Sequence, residues 1–145
     1  MRKAWRFVLM AVTGLWGCAG PRGGDLEQRL AEAIRGEKPV DIGSLTDFAW
    51  ERLYVFPPYT PRRDILEHLG REWNGVEQTG IDRSDDRCLL VFVKGGQVVR
   101  FLEFPRKLGD FAGVQALKGL DRNRAVFEIR RQNGAAVLAL KAAAP

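Results

Sequence analysis

The stretch CLLVFVKGGQVVRFLEF, residues 88–104, sets two runs of aliphatic, β-branched and aromatic residues on either side of Lys94-Gly95-Gly96. Runs of this composition favour extended backbone, and a Gly-Gly pair supplies the positive φ angles that a tight two-residue turn demands. The stretch therefore predicts a β-hairpin. Farther along, AVFEIRR (125–131), Gln132-Asn133-Gly134 and AAVLAL (135–140) repeat the pattern with Asn-Gly at the turn, the strongest short-range hairpin signal. Between the two hairpins, residues 105–123 carry turn residues and a weak helical stripe at Phe111, Val114 and Leu117.

Toward the amino end, AWERLYVF (49–56) stops at Pro57-Pro58 and reads as a strand. Its alternation puts Trp50, Arg52, Tyr54 and Phe56 on one face and Glu51, Leu53 and Val55 on the other. Bulky apolar groups on both faces predict a central strand. Thr60 followed by Pro61 has the form of an N-cap with proline at the first helical position, and Ile65, Leu66 and Leu69 make an apolar stripe that closes at Gly70, so a helix is expected over 61–69. Leu26, Leu30, Ala33 and Ile34 recur at helical spacing behind a capping-box pair, Asp25 and Gln28, and predict a helix over about 25–35. One helical turn is expected at residues 44–47. Residues 72–87, EWNGVEQTGIDRSDDR, show no clear period and read as a long loop with a short strand near Val76. The order helix, strand, helix, hairpin, hairpin predicts an α+β domain over 25–145: an antiparallel sheet of about five strands with two or three helices packed on one face.

The 145-residue chain is long enough for one packed core. Its formal charge is +5, but Arg2, Lys3 and Arg6 lie ahead of an uncharged run; without them 20 Lys+Arg face 18 Asp+Glu, a net of +2. The remaining charges alternate in sign along the chain, whereas phosphate binding wants a concentrated basic face, so a nucleic-acid partner is not expected.

Residues 1–6 (MRKAWR) and 7–17 (FVLMAVTGLWG) follow the layout of a secretory signal: a basic start, then an apolar run ending in a small residue. Eleven helical residues reach about 16 Å, roughly half the hydrocarbon core of a bilayer, so a spanning helix is not expected. Leu15-Trp16-Gly17-Cys18 resembles the lipobox of bacterial lipoproteins, departing from it at Trp16, where a smaller side chain is usual. The resemblance implies cleavage of a 1–17 signal peptide, lipidation of Cys18 and a membrane anchor joined to the domain by a flexible tether over 18–24. Ala19 after the cysteine lacks the aspartate that retains such proteins at the inner membrane of enteric bacteria, which implies the outer membrane, facing the periplasm. The phrases WERLYVFPPYTP and LLVFVKGGQVV resemble those of small bacterial lipoproteins of unassigned function.

Candidate chemistry is sparse. One His and one cysteine besides Cys18 do not make a zinc set, Asp82, Asp85 and Asp86 lack calcium-loop order with Arg83 and Arg87 interleaved, and no serine sits in a G-x-S-x-G elbow. No cofactor or metal is expected. Cys88 reads as a small buried hydrophobe rather than a reactive thiol, and His68 as a partly exposed helix residue. Two segments look more specific. VFPPYTPRR (55–63) sets Tyr59 between prolines and ahead of an arginine pair, and EFPRKLGDF (103–111) also ends a strand in Phe-Pro before two cations. If these strand ends meet, Tyr59, Arg62, Arg63, Arg106 and Lys107 form an aromatic and basic patch, composed of residue types that anchor protein interfaces; the plainer account is prolines ending strands beside solvated arginines. The expectation is a non-enzymatic, lipid-anchored envelope protein that binds another protein. Two alternatives stand beside it: a periplasmic inhibitor or immunity protein acting on a toxin or hydrolase through the 72–87 loop, and a small hydrolase using Cys88 or His68.

Overall fold

The computed structural model describes residues 24–114 and 116–142; the expected signal peptide, the lipobox-like stretch with Cys18 and most of the expected tether lie outside these residues. The described chain is α+β, with two antiparallel sheets and three α-helices. In order it runs α1 (Gly24–Arg35), β1 (Val40–Asp41), α2 (Ile42–Leu45), β2 (Arg52–Phe56), α3 (Arg62–Leu69), β3 (Arg87–Lys94), β4 (Gln97–Pro105), β5 (Ala116–Asp121), β6 (Val126–Gln132) and β7 (Ala135–Leu140). Among the described residues no helix is long and apolar enough to cross a membrane.

Both hairpins form as the turn chemistry demands. Gly95 and Gly96 have φ of +54° and +74°, and Asn133 and Gly134 have +49° and +81°, the paired positive values of a type I′ turn. The first hairpin belongs to a four-stranded sheet of order β4-β3-β2-β5 and the second to a three-stranded sheet of order β1-β6-β7. This corrects the expected single sheet of about five strands. The β6–β7 hairpin does not extend an edge of the larger sheet. It pairs with β1 through Val40 and Asp41 instead, which lets Phe127, Ala136 and Leu138 face the larger sheet across a shared apolar core.

The larger sheet is buried on both faces. Leu53 and Val55 of β2, Cys88, Leu90 and Phe92 of β3, and Leu102 and Phe104 of β4 face a core closed by α1, α2 and the smaller sheet. Tyr54, Phe56, Leu89, Val91 and Val93 face a second core closed by α3 and the 72–87 segment. Helices therefore cover both faces, not one. The central position expected for β2 holds, with β3 on one side and β5 on the other. Trp50 precedes the strand and escapes its alternation: it packs with Leu53 and Val55, donating its indole N–H to Thr46 at 2.8 Å.

Other local expectations shift for identifiable reasons. The 105–123 stretch yields β5 where the helical stripe was expected; Phe111 and Val114 enter the first core while Leu117 packs on the second. Gly119, at φ +77°, interrupts the strand period that would have marked it. The 72–87 segment is not an open loop. It folds into 3₁₀ turns at Asn74–Gln78 and Ile81–Arg83, pinned by buried Val76 and Ile81. Thr60 does not cap α3, whose N-cap is Pro61; its hydroxyl donates to the Pro57 carbonyl at 2.6 Å. The turn expected at 44–47 lies at Ile42–Leu45, where Asp41 accepts from the Ser44 backbone N–H.

Candidate functional site

In register, Phe56 lies beside Leu89 and Leu89 beside Glu103. The chain segments that follow β2 and β4 therefore leave the larger sheet at the same end, and the start of β3 lies there too. Residues 57–63, 81–87 and 105–110 build this end. The 81–87 segment contacts both neighbours: its Ile81 carbonyl accepts the Tyr59 N–H at 2.9 Å, and its Asp86 carbonyl accepts the Arg106 N–H at 2.8 Å.

Tyr59 is the most distinctive residue of the site. Its φ is +61° and the residue is 59 % exposed. A non-glycine residue in left-handed backbone costs of order 1 kcal/mol or more, and such strain concentrates where structure serves recognition. Arg62 is engaged from two sides, by Glu77 at 2.6 Å and Asp82 at 3.5 Å. Arg63 extends into solvent, its side chain 87 % exposed and, among the described residues, paired only with its neighbour Asp64 at 3.4 Å.

Arg106 is a structural member of the site. Its guanidinium makes a two-pronged bond to Asp110 at 3.0 and 2.7 Å and donates to the Asp85 carbonyl at 2.8 Å. The Asp110 main chain exchanges hydrogen bonds with Ala136 and Leu138 of β7, at 2.9 and 2.8 Å, in a parallel bridge to the smaller sheet. Burial alone would raise the Asp110 pKa, but the hydrogen bonds from Arg106 and the Ala112 N–H hold it below the ordinary value. Asp86 falls to about 2, chiefly through its hydrogen bond from Arg87 and then that from Ser84. Lys107, the next residue, turns to the α1 side and lines a cleft between α1 and the β6–β7 hairpin.

The five expected patch residues thus gather at one end of the sheet in two groups. Tyr59, Arg62 and Arg63 belong to the α3 face, Lys107 to the α1 face, and Arg106 is consumed between them by Asp110 and Asp85. On the α3 face Tyr59 and Arg63 are the members left free for a partner, and Lys107 is left free on the α1 face. Sequence reasoning missed Asp110; its spacing of four from Arg106, across Gly109, was the available signal.

Cys88 is fully buried on β3, 4.0 Å from an Asp110 carboxylate oxygen. Burial, and then the Asp110 charge, push its thiol up to about 12. The thiolate a nucleophile needs is thereby suppressed at neutral pH. His68 is exposed on α3, its ring 6.2 Å from that of Phe56. Among the described residues no group of three or more His, Cys, Asp or Glu side chains is placed to hold a metal ion. Comparison with protein-family models, with curated proteins and with solved structures finds no match to this chain.

Proposed function

We propose that the chain is a lipid-anchored protein of the bacterial cell envelope, held through Cys18 at the outer membrane on its periplasmic side, and that it acts by binding another protein rather than by catalysis. The anchor half of this reading rests on Leu15-Trp16-Gly17-Cys18 behind a basic and apolar leader. The binding half is carried by Tyr59: an aromatic residue 59 % exposed on left-handed backbone, its main chain held in place by the N–H bond to the Ile81 carbonyl. Rigid aromatic anchors of this kind, flanked here by solvated Arg63, lose little conformational entropy on binding and dominate interface energetics.

The test joins both halves. In the native host, a photo-reactive amino acid at position 59 should cross-link to one discrete partner, competed by unlabelled protein but not by the Arg63→Glu variant. An alkyne fatty acid should label the wild type and not Cys18→Ser. An unlabelled Cys18, or a cross-linking pattern at position 59 no different from that at exposed Lys118, overturns the corresponding half.

A further inference from the structure

Lys107 opens onto a cleft of about 470 Å³ between α1, the turn after β4 and the tip of the β6–β7 hairpin, a size typical of small-molecule sites. Its floor is aliphatic: Ala31 and Ile34 from α1, Leu108 from the turn, and Ala135 with Ala136 from β7. Among the described residues no aromatic ring lines it, so they offer a nucleobase or other flat ring nothing to stack on. Its polar groups are long side chains, exposed except for half-buried Glu27, rather than buried donors fixed in place, which suits a hydrocarbon with one charged end better than a sugar. Next to Leu108, Gly109 lets the turn pack closely against α1: a Cβ there would lie 2.5 Å from the Ile34 Cδ1 atom and 3.0 Å from Leu138.

The rim fixes the sign of that charge. Among the described residues Arg35, Lys107 and Arg131 line the cleft against one carboxylate, Glu27. Arg131 is held by Glu37 at 3.0 Å. Arg35 spends its Nε on the Ala31 carbonyl at 3.3 Å, and among the described residues neither it nor Lys107 has a carboxylate within 4.0 Å. Glu27 and Arg35 stand eight residues apart on α1, about 12 Å along the axis. An anion is therefore drawn to the Arg35 end and repelled from the other.

We infer that this cleft binds a single-chain anionic amphiphile, its carboxylate or phosphate head at the Arg35 end of the basic rim and its alkyl chain along Ala31, Ile34, Leu108 and Ala136. The inference stands apart from the partner surface at Tyr59 and does not require the Cys18 anchor.

Titration of the purified full chain, below the critical micelle concentration, with dodecanoate, dodecyl phosphate and dodecyltrimethylammonium tests it by calorimetry. The two anions should saturate at one site per chain and the cation should not bind. Dodecanoate alone binding would assign a free fatty acid, and dodecyl phosphate alone a lipid-phosphate head. Arg35→Glu with Lys107→Glu should weaken binding by at least about tenfold. Ala135→Trp, at an exposed position that leaves the core untouched, should block it with the thermal midpoint unchanged. Equal binding of the cationic detergent, no effect of either variant, or binding only to anionic phospholipid vesicles would each overturn the cleft as a ligand site; the last would make it a membrane-contact surface.

Discussion

Asp110 has two jobs that depend on different atoms. Its carboxylate holds Arg106 and its backbone joins the sheets, so Asp110→Asn should spare the bridge and lose the charge. Because the folded pKa lies below the ordinary 3.8, the ionised carboxylate contributes stability that is fully present above about pH 4. That contribution is lost as pH falls through the lower folded value. Acid titration of the thermal midpoint should show a downward limb below about pH 4 that is shallower in Asp110→Asn. Gly119 offers a second residue-scale test. Its φ is +77° and an added Cβ would sit 2.9 Å from the Tyr54 ring, so Gly119→Ala should cost about 1–3 kcal/mol in denaturant unfolding. Cys88 supplies a third: a thiol reagent should label the native protein far more slowly than the urea-unfolded chain, with labelling limited by opening of the β3 region.

The elements most legible in the sequence were those whose local chemistry and tertiary surroundings agree. Both hairpins had turn residues that no other conformation uses so well, and α1 and α3 had apolar stripes matched by buried Leu26, Leu30, Ile34, Ile65 and Leu69. β5 was hidden because its partner, β2, lies more than sixty residues away and a glycine breaks its alternation. The split into two sheets was equally illegible, since it turns on a two-residue strand, β1, too short to leave a pattern. At the candidate site, Tyr59 and the arginines were visible as residue types, but that Arg62 would be neutralised depended on Glu77 and Asp82 arriving from another segment, and that Arg106 would be depended on a local turn bringing Asp110 back to it. The edge of β4 carries a register shift near Phe92–Val93 and ends at Pro105, two devices that spoil it as a template for strand addition. Replacing Pro105 by valine should lower solubility on concentration, measured by light scattering, with little change in the unfolding midpoint.

At the scale of the whole molecule, β2 and β3 contribute side chains to both apolar cores, so neither core can melt while the other stays intact. Phe127→Ala in the smaller sheet and Ile65→Ala in α3 remove fully buried side chains from opposite cores. Each should destabilise by about 2–5 kcal/mol. Far-UV and near-UV circular dichroism should nonetheless report one coincident transition for each variant; a split transition would show the layers to be independent. The same architecture governs how the protein answers a mechanical tug from its amino end. Gly24 opens α1, and Leu26, Leu30, Ala31 and Ile34 are seated along that helix like teeth in a rack. Traction along the helix axis must shear all four out together, whereas traction across it peels them out one after another, so a leash attached ahead of Gly24 holds best when it is drawn lengthwise.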